Sequence, residues 1–175
     1  QAGLRVLKAL RHMPIRIAVL MGSVLMILST SSFGQADDVA LKAAFIYNFA
    51  LFTTWQGGPQ TPDFRVCTAA DGELWNSLQR LRGKLVGTRP WAVYPMAPAE
   101  TPQQCDVLVL SGSLPTPSYP ATLIVRDGDR SPNDGASIAL VTEANHVRFD
   151  IDTRAARRSG LTFSSKLLSL ARSVQ

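Results

Sequence analysis

The sequence predicts an α/β fold: one domain with a mostly parallel central sheet, flanking helices and an antiparallel hairpin near the C-terminal end. Three observations predict it. Strand-length apolar stretches recur at 64–68, 91–94, 107–110 and 122–125. The first is followed directly by an amphipathic helical pattern, the opening half of a βαβ unit. Two further runs, 137–141 and 147–151, flank a short polar segment in the manner of a hairpin.

Ahead of these lies a leader pattern. Arg5, Lys8, Arg11 and Arg16 precede an apolar run at 17–28, and Gly34 and Ala36 stand at small-residue cleavage positions. This is the layout of a secretory signal peptide over 1–36. The apolar run of twelve residues is short of the roughly 20 that cross a bilayer as a helix, so cleavage after Ala36 and no membrane insertion of the remainder are expected. Export across the inner membrane is the expectation. The leader holds four of the 18 Lys and Arg and none of the 13 Asp and Glu, which leaves residues 37–175 with a net charge of +1. A nucleic-acid partner needs a basic stripe on the working domain. Only Arg154, Arg157 and Arg158 cluster, and they read as a solvated helix face.

Residues 37–175 are enough for one ordinary domain with a single core. The first element is a helix over about 38–55, capped by Asp37 or Asp38 and stopped by Gly57, Gly58 and Pro59. Because it is apolar around most of its circumference, it must be buried or partnered. Most of Phe45, Tyr47, Phe49, Phe52 and Trp55 serve the core, and one edge, Tyr47 with Trp55, is the candidate dimer or partner surface. After the 64–68 strand, Asp71 caps a helix with Leu74, Leu78 and Leu81 on one face, ending near Gly83. Pro115, Pro117 and Pro120 argue against a crossover helix in 111–120, so either that connection is a tight loop or the following strand sits elsewhere. Past the hairpin, Gly160 ends one helix, 161–163 run extended, and Ser164 caps a second carrying Leu167, Leu168 and Ala171.

Cys67 and Cys105, an even pair in an exported protein, read as a disulfide. On parallel neighbouring strands they would be offset by three residues, at about 3.3 Å each, more than a disulfide spans. Either the strand limits differ, or the bond forms with adjustment and is labile. It is accordingly a structural staple or a redox-responsive element.

No catalytic pattern is complete. His146 is the one histidine after the leader, and it falls at the hairpin turn, away from a serine or cysteine it would have to activate. Ser164, Ser165 and Lys166 lack the S-x-x-K spacing, since Phe163 stands where serine is needed. The stretch 127–135 opens like a calcium loop, but Pro132 and Ile138 occupy the positions that require Gly and Glu. Cys and His are too few for zinc, and neither nucleotide-phosphate motif occurs. The reading is a protein without cofactor, metal or catalytic site, a binding or regulatory protein.

Two segments carry a family resemblance. Lys42-Ala43-Ala44-Phe45-Ile46-Tyr47-Asn48-Phe49, then Phe52 and Trp55, is similar to the opening signature of the periplasmic YfiR (HmsC-like) family. The closing run Val147-Arg148-Phe149-Asp150-Ile151-Asp152, followed by Gly160-Leu161 and Ser164-Ser165-Lys166-Leu167-Leu168, resembles its C-terminal pattern. The resemblance implies a small periplasmic α/β protein that restrains a membrane-anchored diguanylate cyclase by binding its periplasmic region, lowering cyclic-di-GMP and biofilm formation. A periplasmic small-molecule sensor, with a cleft beside the first helix, is the alternative.

Overall fold

The computed structural model describes residues 33–57, 61–96, 105–111, 119–128 and 135–175. The chain divides into two compact units, Gln1–Gln35 and Ala36–Gln175. The apolar run of the leader lies outside the described residues, as do most of the proline-rich segment and of the acidic turn after Asp127.

The second unit is built on an eight-stranded sheet. In chain order the elements are α1 (Phe33–Leu51), β1 (Thr53–Trp55), β2 (Phe64–Thr68), α2 (Gly72–Gln79), β3 (Leu85–Val86), β4 (Arg89–Pro95), β5 (Val107–Leu110) and β6 (Leu123–Asp127). They continue with β7 (Ile138–Glu143), β8 (His146–Ile151), α3 (Thr153–Arg158), β9 (Leu161–Phe163), α4 (Ser165–Leu170) and β10 (Ser173–Val174). The sheet runs β10-β8-β7-β6-β5-β2-β4-β3. All its pairings are parallel except β3 with β4 and β7 with β8. The predicted fold class is therefore the observed one. The strand after the prolines lies parallel beside β5, with Val107 opposite Leu123, which answers the question of where it sits.

Side-chain alternation divides the sheet into two faces. Phe64, Val66, Trp91, Val93, Val107, Val109, Leu123 and Val125 join Ile138, Leu140, Phe149 and Ile151 in one core. Ile46 and Phe49 of α1, Leu78 of α2, Ala156 of α3 and Leu167 of α4 pack into that same cluster. Every described helix thus serves one face. The opposite face carries Cys67, Cys105, Leu108, Tyr119, Ile124 and Ala136.

The helix expected over about 38–55 ends earlier, at Leu51. Thr53-Thr54-Trp55 leaves it to pair antiparallel with Leu161-Thr162-Phe163. Two β-branched residues and an aromatic suit a strand better than a helical turn, and the partner that completes the ladder lies more than a hundred residues downstream. Thr53 Oγ1 donates to the Phe49 carbonyl at 2.6 Å, closing the helix end. At the other end α1 begins at Phe33, so neither Asp37 nor Asp38 caps it.

Several local readings stand. Ala144 and Asn145 both have positive φ, 47° and 63°, the requirement of a two-residue turn matching strand twist. Gly160, at φ 72°, follows α3. Ser164 caps α4 by accepting from the Leu167 N–H at 3.2 Å. β3 and β10 were not foreseen; each is two residues long, too short for a periodicity to show. The Lys42 ammonium, 2.6 Å from an Asp127 carboxylate oxygen, ties α1 to the end of β6.

Candidate functional site

α1 buries a stripe of Ala43, Ile46, Phe49 and Ala50, at helical spacing. Its outer side is not polar. Leu41 and Leu51 remain 44% and 43% exposed, and Leu85 on the β3 edge strand is 55% exposed. The helix is therefore buried on one side and bears bare leucines on another.

Between these leucines the sequence-derived candidates Tyr47 and Trp55 are half-buried, at the two ends of one row of rings. Tyr47 meets Trp91 edge-on at 5.4 Å. Trp91 stacks on Phe64 at 5.8 Å, and Phe64 receives Trp55 edge-on at 5.3 Å. The pairing of β2 with β4 sets Phe64 opposite Trp91, so the row crosses the sheet on its helix-bearing face. The Tyr47 hydroxyl donates to the Leu85 carbonyl at 2.8 Å, joining α1 to the β3 edge. Trp91 Nε1 donates to the Leu78 carbonyl at 3.2 Å. The Trp55 Nε1, by contrast, is buried with no acceptor among the described residues.

Trp55 shares a cleft of about 370 Å³ with Leu51, Phe64, Val86, Gly87 and Arg89. Gly87, in the β3–β4 turn, has φ 60°, a conformation that disfavours a side chain there. Arg89 is held from several directions. Its Nη1 and Nη2 reach Asp106 Oδ1 and Oδ2 at 2.7 and 2.8 Å. Its Nε donates to the Thr61 carbonyl at 2.9 Å and Nη2 to Thr61 Oγ1 at 2.6 Å and to the Asp63 carbonyl. The guanidinium also lies 5.4 Å from the centre of the Phe64 ring. Asp106, 1% exposed, accepts in addition from the Arg65 N–H at 2.7 Å. A buried carboxylate is tolerable only with such partners. Sequence reasoning missed Arg89 and Asp106, because nothing local links the first residue of one strand to the residue before another.

Cys67 and Cys105 are bonded, with Cα atoms 5.9 Å apart. The three-residue offset does not prevent this, because Cys105 precedes β5 and the backbone bends at Asp106, so Cys105 leaves the line of the strand. Both cysteines are buried, on the face away from the described helices.

Elsewhere, the Tyr94 hydroxyl donates to Asp63 Oδ2 at 2.9 Å. That hydrogen bond, with burial, raises the phenol above its usual pKa. His146 is exposed at the start of β8, opposite Glu143. Arg154, Arg157 and Arg158 are exposed on α3. Among the described residues no three of His, Cys, Asp and Glu stand together as a metal site, and no helix is long and apolar enough to cross a membrane.

These features define an α/β domain in which an aromatic row, buried at Phe64 and Trp91, reaches the surface at Tyr47 and Trp55 beside exposed leucines and a cleft. The chain belongs to the YfiR/HmsC-like family, whose sequence profile matches residues 39–172; it is a family of periplasmic regulatory proteins. No curated protein matches the chain.

Proposed function

We propose that this protein is an inhibitory binding protein: exported by a leader over 1–36, it binds the periplasmic region of a membrane-anchored diguanylate cyclase and keeps cyclic-di-GMP low. Family membership supports the regulatory part of this reading. The observation that carries the binding part is the exposed apolar edge formed by Leu51 on α1 and Leu85 on β3, bridged by the Tyr47 hydroxyl. Isolated surface leucines are ordinary. Here two stand beside the half-buried Tyr47 and Trp55, the outer ends of a ring row whose middle lies in the core, and a few apolar and aromatic anchors of this kind supply most of the affinity of an interface. Inhibition needs only different affinities for two states of the cyclase, since equal affinity shifts nothing.

The test is the cellular cyclic-di-GMP level in a strain lacking the gene, complemented by the wild type or by a Leu51→Glu, Leu85→Glu double variant. Deletion should raise the level and the wild type should restore it. The double variant, present at equal amount, should not. No rise on deletion while the protein is normally expressed would sink the proposal, and full restoration by the double variant would remove this edge from it.

A further inference from the structure

We propose that the outer edge of β8, beside the segment joining α4 to β10, is a docking site for the C-terminal end of a partner protein, added as an extended strand parallel to β8. The turn at Ala144 and Asn145 closes the β7–β8 hairpin on the pair Glu143 and His146. Residues 146, 148 and 150 therefore bond to β7, and 147, 149 and 151 point their backbone groups outward. The bond from the Asp152 N–H to the Ser137 carbonyl keeps that alternation. β10 takes only part of the outward row: the Arg172 N–H reaches the Phe149 carbonyl at 2.8 Å and the Gln175 N–H the Ile151 carbonyl at 3.0 Å. The Val147 N–H and carbonyl and the Phe149 N–H have no partner among the described residues. Val147 and Phe149 are 7% and 3% exposed, and backbone groups left unpaired at such depth are uncommon. At the other edge of the sheet the Leu85 carbonyl is covered, by the Tyr47 hydroxyl.

The open row faces a cavity of about 380 Å³, lined by the consecutive residues 146–149 of β8. Alternate side chains of a strand point to opposite faces, so a cavity touching all of them runs along the edge, where the backbone projects. Phe45, Val147, Phe149 and Leu170 give it an apolar floor, and Leu170 is 63% exposed. From the hairpin tip onward the row offers a donor, an acceptor and a donor, and then β10 stands in line. A chain that ends there with its carboxylate supplies the last acceptor with charge, whereas a terminal ammonium only donates. The charged side chains lining the cavity, Arg148 and Arg172, are both cationic. Glu143 lies 4.0 Å from Arg148 and Asp150 2.6 Å from Arg172, but neither carboxylate lines the cavity. With its carboxylate at Phe149 the tail runs parallel to β8, and its penultimate side chain falls beside Val147 over the apolar floor. A second copy of this chain does not fit the slot: pairing β8 with β8 about Val147 sets the copy's Asn145 opposite Phe149, where Arg172 stands. Main-chain hydrogen bonds with a pocket for alternate side chains are how a sheet edge captures a strand.

The inference does not rest on the cyclase reading, because the chain alone is titrated with a synthetic tail. The probe is acetyl-Ser-Val-Thr-Leu-Thr with a free C-terminal carboxylate, and its counterpart is the same peptide ending in an amide. In the ¹⁵N-labelled full chain the Val147 and Phe149 amide signals should move saturably with the probe, and their hydrogen exchange should slow. The Arg148 amide, which faces β7, should stay largely in place. The amide-ended peptide should bind about tenfold more weakly, the difference between a hydrogen bond to a charged and to a neutral acceptor. N-methylation of the last peptide residue removes the donor for the Val147 carbonyl and should weaken binding by a similar factor. Leu170→Glu, at an exposed position, should weaken it as well, with the unshifted amides elsewhere reporting a folded protein. Val147 and Phe149 signals that ignore the probe, equal binding of the amide-ended peptide, or undiminished affinity in folded Leu170→Glu would each overturn the proposal. So would slow Val147 exchange in the free protein that is lost on dilution to a monomer, which would make the occupant a second copy.

Discussion

Asp106 is a single carboxylate that joins three segments: β2 through the Arg65 N–H, the start of β4 through Arg89, and the entry to β5, where it stands itself. Replacing it by alanine leaves the Arg89 guanidinium without the carboxylate that pairs with it and the Arg65 N–H without its acceptor. Removing one partner of a buried pair costs about 3–5 kcal/mol; because the Arg89 side chain is 26% exposed, a loss of about 2–3 kcal/mol is expected for Asp106→Ala in chemical denaturation. Tyr94 gives a pH-dependent prediction. Its raised pKa means that the neutral phenol is the form the fold prefers. The stability gained from its bond to Asp63 is thus fully present below the ordinary phenol value and is lost as pH rises through the higher folded value. Among the three tyrosines, Tyr94 should ionise late in an alkaline titration followed by phenolate absorbance. Asp63→Asn should bring it back toward the ordinary range. The short-range readings at this scale came from residue type and position, such as Ser164 as a cap and Gly160 as an exit. The Asp106–Arg89 and Tyr94–Asp63 pairs join residues 17 and 31 positions apart, and nothing in either local sequence announces the other partner.

Among the elements, the β1–β9 ribbon is the clearest case of tertiary context overriding a helical pattern. The apolar rhythm of α1 continues through Phe52 to Trp55, yet the pairing of Thr53-Thr54-Trp55 with residues 161–163 wins. Thr162→Pro removes a donor from this ladder and should free β1, exposing Trp55 and red-shifting its fluorescence. The Cys67–Cys105 bridge ties β2 to the segment entering β5 across a sequence separation of 38 residues. On the chain-entropy account its removal costs about 4 kcal/mol, so Cys67→Ser, Cys105→Ser should unfold at markedly lower denaturant. Both cysteines are buried, and thiol–disulfide exchange requires access to a sulfur. Under native conditions a small thiol should therefore reduce the bond no faster than the protein opens. Reduction much faster than opening, with the fold retained, would favour a redox-responsive element over a staple.

For the whole molecule, the consequence is a division of labour between the faces of one sheet. The described helices gather on one face and their edge carries the exposed leucines and the cleft, while the disulfide lies on the other. Partner binding at the leucine edge and stabilisation by the disulfide should then be separable: Leu51→Glu, Leu85→Glu should abolish control of cyclic-di-GMP with little change in denaturation midpoint. The cysteine double variant should lower the midpoint while the folded fraction retains control. The same edge is also where self-association belongs; if a homodimer uses it, sedimentation will show the wild type paired and the leucine double variant monomeric.

By itself the sequence determined the α/β class, the positions of the main strands along the chain, the terminal hairpin, the caps of the last helices and the family signature. Each of these is written within a window of a few to about fifteen residues, where periodicity and turn chemistry act. The end of α1 at Leu51, the strand order with β2 between β4 and β5, the bend that lets Cys105 meet Cys67, and the cleft that unites Trp55 with Arg89 were decided only in the tertiary structure. They depend on contacts between residues far apart in the chain, whose free energy exists only once the sheet has assembled and which therefore leave no local pattern to read.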